Sequence, residues 1–186
     1  MDLALWLLPA LLLLIVGIAY FVFASFLFGA GYQPAPRAVV SAMLEFADVG
    51  PNDRLFDLGA GTGAIIFRAA RERGASAVGV EVEPLRILIL RLRRALGPAR
   101  DRIEVRWTNL YQVDLRTATV VATFLWPEAM VRLRPKLERE LAPGSRVVSH
   151  WHPIPGWTAE RSDPALRVYL YRWPGHPPSP SGAGQP

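Results

Sequence analysis

The sequence predicts an α/β domain, an open and mainly parallel sheet with helices on its faces, preceded by one transmembrane helix. Three observations predict it. Past residue 36, short β-branched runs alternate with amphipathic stretches, the pattern of strand–helix units. The glycine-rich turn Gly59-Ala60-Gly61-Thr62-Gly63 follows the first such run and opens a helix. From Leu3 to Phe28 no residue is charged.

That uncharged run is about 26 residues long. As a helix it measures ~39 Å, against a hydrocarbon core of ~30 Å. A cleaved signal peptide is the rival, but its first residues should be basic and its apolar core shorter. Here Asp2 is the only charge before Gly29. We therefore expect residues 1–30 to be an N-terminal transmembrane anchor and 31–173 a globular domain. Residues 174–186, rich in Pro, Ser and Gly, read as a disordered tail. Positive charge begins at Arg37, so the expected location is single-pass in a membrane with the domain cytoplasmic.

The chain contains no cysteine, which excludes disulfides, zinc–thiolate sites and a cysteine nucleophile. The 21 basic and 16 acidic residues give a net charge of +5, and without Asp2 the remainder carries +6. Such a domain suits anionic lipid, acidic partners or nucleic acid, or simply a solvated arginine-rich surface.

The elements follow in order. Arg37 to Ala47 reads as a helix with Val39, Val40, Met43, Leu44 and Ala47 on one side. Residues 50–53 form a turn, and 54–57 a strand. A helix is expected over 61–73, a strand over 77–81 and a helix over 84–96. Strands follow at 102–107 and 118–125. A helix over 127–141 should kink or break at Pro135. Strands at 146–149 and 166–171 complete the set.

The segment from Leu55 to Gly63 carries the chemistry. Glycines let the backbone turn tightly and approach a ligand. About twenty residues on, the second strand ends at Glu81, whose carboxylate can accept from ribose hydroxyls. Gly59, Gly61 and Ala64 also match the dinucleotide pattern G-x-G-x-x-A. Asp57 tilts the choice, because a carboxylate two residues before the first glycine repels a pyrophosphate and welcomes an ammonium. S-adenosylmethionine carries an ammonium, a sulfonium and a ribose diol, so it is the expected cofactor.

The pattern D-x-G-x-G-x-G followed by the Glu81 strand resembles the class I methyltransferases, whose sheet is Rossmann-like. The similarity extends over Tyr32-Gln33-Pro34, residues 78–81, 112–115, 135–141 and 144–150, and Pro155-Gly156-Trp157. That series is similar to the small protein-lysine methyltransferases. The group includes a broad-specificity archaeal enzyme and membrane-anchored mitochondrial enzymes acting on the adenine nucleotide translocase and the ATP synthase c-subunit. The resemblance runs from about Tyr32 to Trp173. It implies cofactor contacts from Asp57, Gly59, Ala60, Gly61, Thr62, Gly63, Glu81 and Val82, and an adenine contact near Asn109 and Leu110. It places Tyr32 and Pro34 over the active site. The sequence departs from the pattern at Trp151-His152 and at Phe124-Leu125-Trp126-Pro127, near the expected substrate entrance.

Methyl transfer from a sulfonium is an in-line displacement in which the protein supplies position and electrostatics. It needs no metal, and none is expected. A lysine nucleophile with a free pKa of ~10.4 is neutral about once in 2,500 at pH 7, a cost of roughly 4.6 kcal/mol. An aromatic channel beside a sulfonium lowers that cost by desolvation and like charge. Tyr32, Trp126, Trp151 and Trp157 are candidate walls, although the same aromatics serve equally to pack the end of the sheet. His150 is a candidate to orient the amine or take its proton.

The expected partners are a protein substrate, possibly membrane-embedded, and the membrane itself. Nucleic acid is not expected, because the D/N-P-P-Y/F motif that presents a base amine is absent after the fourth strand. Two other readings stay open: methylation of a lipid, quinone or other small amphiphile, and a non-catalytic cofactor-binding membrane module. Lys136 is the chain's single lysine, so any self-methylation of a side chain amine must fall there.

Overall fold

The structure, a computed structural model, describes residues 3–27 and 34–175. It contains helix α1 (Leu3–Leu27), then α2 (Arg37–Phe46), β1 (Arg54–Leu58), α3 (Ala64–Glu72), β2 (Ser76–Glu81) and α4 (Pro84–Leu96). There follow β3 (Ile103–Trp107), β4 (Val120–Thr123), α5 (Pro127–Glu140), β5 (Arg146–His150), β6 (Arg161–Asp163) and β7 (Val168–Arg172).

The strands form one seven-stranded sheet in the order β3-β2-β1-β4-β5-β7-β6. β1 to β5 run parallel, and β7 runs antiparallel to both β5 and β6. The period-2 alternation of the strands divides the interior into two cores. Leu55, Ala77, Val120 and Val148 join Val39, Met43, Ile66 and Leu90 of α2, α3 and α4 on one face. Phe56, Leu58, Val121 and Val147 join Met130, Leu133 and Leu137 of α5 on the other. Strand order reverses between β1 and β4, and ligands of open α/β sheets bind beyond the carboxyl ends at such a point.

The α/β fold matches the expectation, and its differences have local causes. α3 begins at Ala64 rather than Gly61, because Gly61 and Gly63 have φ of +56° and +90°. The run ending at Leu125 leaves the sheet after Thr123, so residues 124–126 form a loop across the carboxyl ends. α5 continues through Pro135 without a break, its ring on the exposed side. The edge strand β6 was too short and polar to show an apolar pattern. Lys136 is buried and paired with Glu140 at 2.6 Å, which rules it out as an accessible self-methylation target.

The anchor expected over residues 1–30 needs a correction. Among the described residues no helix is long and apolar enough to cross a membrane. Tyr32 and residues 176–186 of the expected tail lie outside the described residues.

At the opposite end of the sheet from the carboxyl termini, Arg146 at the start of β5 ties several segments together. It pairs with Asp53 ahead of β1 and donates to the carbonyls of Ala47 and Asp48 after α2. Asp53 also accepts from Thr119 Oγ1 at 2.7 Å and from the Gly50 N–H at 2.9 Å. Asp53→Ala leaves the half-buried guanidinium without its carboxylate. We expect a loss of roughly 2–4 kcal/mol in urea unfolding, with cofactor affinity of the folded protein unchanged.

Candidate active site

The site begins where β1 ends. Gly59, Gly61 and Gly63 all have positive φ, at +93°, +56° and +90°. This turn folds back on β2, with the N–H groups of Gly59 and Ala60 both donating to the Val80 carbonyl at 2.9 Å. At Gly63 a side chain is excluded twice over. Its φ is left-handed, and a Cβ would lie 2.5 Å from Phe67 and 2.7 Å from Leu90. Gly63 is therefore the point at which α3 and α4 close on the loop.

Glu81 ends β2 and holds this loop. Its Oε2 accepts the Gly61 N–H at 2.8 Å, and its Oε1 accepts the N–H groups of Val82 and Glu83 at 2.9 and 3.0 Å. A carboxylate offers about four acceptor positions, so one remains for a ligand hydroxyl beyond the loop-holding bonds. Asp57 stands one strand away, paired in register with Gly79, and is only 3% exposed. Burial, reinforced by the charge of Glu81, pushes its pKa up to about 7. Two acids at the carboxyl ends of adjacent strands create a negative, desolvated spot that a cation relieves. Positive-φ backbone, an acid pair and a spare acceptor fit the S-adenosylmethionine expected from the sequence. Asp57 would face its positive charge and Glu81 a ribose hydroxyl.

Two neighbours were not singled out in the sequence. Glu83 is fully buried and caps α4, accepting from the N–H groups of Leu85 and Arg86 at 3.0 and 2.8 Å. The Glu83-Pro84 pair, an acceptor before a proline at the first helical position, is the signal that marks it. Trp107 ends β3 in register with Glu81, is 57% exposed, and donates its indole N–H to the Val82 carbonyl at 3.0 Å. Asn109 is exposed, and its side-chain oxygen accepts the Tyr111 N–H at 3.0 Å, an Asx-turn. Leu110 is half-buried against the α5-side core.

The second half of the site lies across β4. A Cβ on Gly59 would sit 3.5 Å from Leu125, so the glycine turn and the loop after β4 are neighbours. Phe124 packs on His150 with ring centroids 4.4 Å apart, and Trp126 lies 5.9 Å from His152. His150 is buried at the end of β5, its Nδ1 3.2 Å from the Arg167 carbonyl. Burial lowers its pKa, assisted by the charges of Arg167 and His152, while bonds to backbone carbonyls of residues 166 and 167 oppose the shift. Its ring is thus neutral at pH 7. A carbonyl oxygen only accepts, so Nδ1 carries the proton and Nε2 the lone pair. Trp151 and Arg167 both adopt positive φ, at +71° and +51°, and the Trp151 N–H donates to the Arg167 carbonyl at 2.7 Å. The Arg167 guanidinium lies 4.2 Å from the Trp151 ring centroid.

The structure thus brings together Asp57, the three glycines, Glu81 and Val82 in one cluster, and His150, Trp151, Phe124 and Trp126 in an adjoining one. Trp157 belongs to neither. It stacks on Trp173 at 5.1 Å and donates to Glu138 at 3.0 Å, packing on the α5 side of the sheet. Among the described residues no group of three or more His, Asp or Glu side chains is placed to hold a metal ion.

Residues 57–161 match the model of the ANTKMT methyltransferase domain. Over 147 residues the chain is 40% identical to a protein-lysine N-methyltransferase of Saccharolobus islandicus, covering 75% of this chain and 91% of the relative. It is 32% identical over 135 residues to the adenine nucleotide translocase lysine N-methyltransferase of Mus musculus, covering 72% of this chain and 59% of that protein. Among solved structures, a Salinibacter ruber RNA methyltransferase in complex with S-adenosyl-L-homocysteine superposes with a TM-score of 0.73 at 37% identity. The superposition covers 82% of this chain and all of that one.

The raised pKa of Asp57 has a consequence for stability. A carboxylate held protonated in the fold stabilises fully below its unfolded pKa near 4, and that contribution is lost as pH rises through about 7. Urea unfolding of the cofactor-free protein should therefore weaken between pH 4 and pH 8 by up to roughly 4 kcal/mol. Asp57→Asn should remove most of that slope and be the more stable protein at pH 8.

Proposed function

The chain belongs to the ANTKMT methyltransferase domain family, its cofactor is S-adenosylmethionine, and we propose that it methylates lysine side chains of a protein beside a membrane. S-adenosylmethionine supplies an electrophilic methyl group on a sulfonium, and the chain's own residues supply the placement. Asp57 and Glu81 hold the cofactor by charge and hydroxyl contacts at the end of β1 and β2. The exposed indole of Trp107, tethered to the Val82 carbonyl, offers a flat face for the adenine beside them. The observation that carries the reading is the second cluster, in which aromatic rings pack on a neutral histidine two strands from the cofactor loop.

Phe124, Trp126 and Trp151 form the wall against which a lysine side chain lies extended. Desolvation there favours the neutral amine, the nucleophilic form. His150, with its Nε2 lone pair fixed by the Arg167 carbonyl, accepts a hydrogen bond from that amine and aligns its own lone pair on the methyl group. The departures at residues 124–127 and 151–152 line this same wall, so they set which lysine is accepted.

Membrane association is part of the proposal. The described side chains of α1 are apolar and exposed on all sides, Trp6, Leu8 and Leu13 among them. A lipid surface covers such a helix where water does not. The positive charge that follows α1 supports a cytoplasmic position for the domain.

The full chain, incubated with tritiated S-adenosylmethionine and a membrane extract, should place label in a protein band as methyl-lysine. Label in the lipid phase would favour an amphiphile substrate, and label in RNA would favour the activity named for the Salinibacter relative. Asp57→Ala should weaken cofactor binding by roughly 100-fold, read by calorimetry. His150→Ala should instead lower kcat by roughly 10- to 100-fold with little change in cofactor affinity.

A further inference from the structure

α4 has two opposite apolar sides. Ile87 and Leu90 enter the core, and Arg86 is buried near Glu83. At ~100° per residue, Leu88, Leu92 and Leu96 fall within roughly 80° of one another on the side facing away from the sheet. They are 53%, 52% and 87% exposed. Leucines spaced four apart on a solvent-facing side make a stripe, not scattered apolar residues.

The rim of this stripe is basic. Arg91 and Arg93 lie on its two flanks, about 100° either side of Leu92, Arg94 follows near the helix end, and from Leu85 to Leu96 there is no acid. Arg93 lies over the Phe67 ring at 4.5 Å and donates to the Thr62 carbonyl, while Arg94 donates to the Arg100 carbonyl at 3.2 Å. The first of these anchors holds Arg93 beside the leucines, and each guanidinium retains further donors. The nearby carboxylate of Glu104 is already engaged by Arg54 and Arg106.

We propose that this face of α4 docks on an anionic lipid surface, with Leu88, Leu92 and Leu96 among the acyl chains and the arginines at lipid phosphates. The inference rests on the membrane attachment through α1 proposed above. Charge complementarity selects the occupant: an arginine rim without acids matches anionic headgroups, and an apolar stripe does not match nucleic acid. α4 starts three residues past Glu81, so docking sets the cofactor site within about one helix length, ~20 Å, of the headgroups.

The absence of cysteine makes the test direct. Leu92→Cys in the full chain is coupled to an environment-sensitive fluorophore. Val131→Cys, exposed on α5 across the sheet, serves as the control. Each is mixed with phosphatidylcholine vesicles, or with vesicles holding about 30% phosphatidylserine, and both sets carry spin-labelled acyl chains. We expect the chain to float with the vesicles. The Leu92 probe should shift to the blue and be quenched several-fold more in anionic than in neutral vesicles, while the Val131 probe stays unchanged. A floating chain whose Leu92 probe remains as wet as the control overturns the docking and leaves α1 attachment standing. A chain that does not float overturns both. A Leu92 probe shielded without lipid, increasingly with protein concentration, overturns the proposal in favour of a second copy of the chain.

Discussion

Two carboxylates set the terms of this structure. Asp57 and Glu81 are buried at the carboxyl ends of adjacent parallel strands, and Asp57 is driven toward its neutral form by burial and by Glu81. Burying like charges side by side costs stability that no packing requirement demands. It makes sense only if a cation completes the pair. The positive-φ glycines, the short β1–α3 turn and the capping of α4 by Glu83 all serve to bring backbone and acids to that one place.

The sheet carries the acids to the reacting group. Parallel pairing of β1 with β4 and of β4 with β5 sets Asp57, Ala122 and Val148 in one row. Phe124 and His150 fall beyond the next row, where they meet. A register slip of one residue would turn Asp57 to the α5 side and His150 away from the α2 side, separating the two halves of the site. The distant Arg146–Asp53 bond holds that register from the other end.

Much of this was legible in the sequence. Strand–helix alternation located the parallel strands, of which β1, β2, β4 and β5 bury both faces. The glycine loop and its two acids were legible because φ and charge are local properties of single residues. α4 matched its expected bounds because Glu83-Pro84 marks its start. What stayed hidden was tertiary. Trp157 reads as a candidate wall until its stacking on Trp173 is seen, and Lys136 as the residue for any self-methylation until its burial against Glu140 is seen. The role of Trp107 depends on β2–β3 register, and the left-handed backbone of Trp151 and Arg167 on the β5–β7 connection. None of these leaves a periodic or compositional trace.

The central claim is that a buried acid, half-protonated near neutrality, is completed by a cationic cofactor. Calorimetric titration of S-adenosylmethionine into the full chain at pH 7, in buffers of differing ionisation enthalpy, counts the protons exchanged on binding. A group with a pKa of about 7 that is made to ionise gives up about half a proton. The account predicts that release, and its disappearance in Asp57→Asn. Binding of equal strength with no proton released, in the parent chain as in the variant, would contradict it.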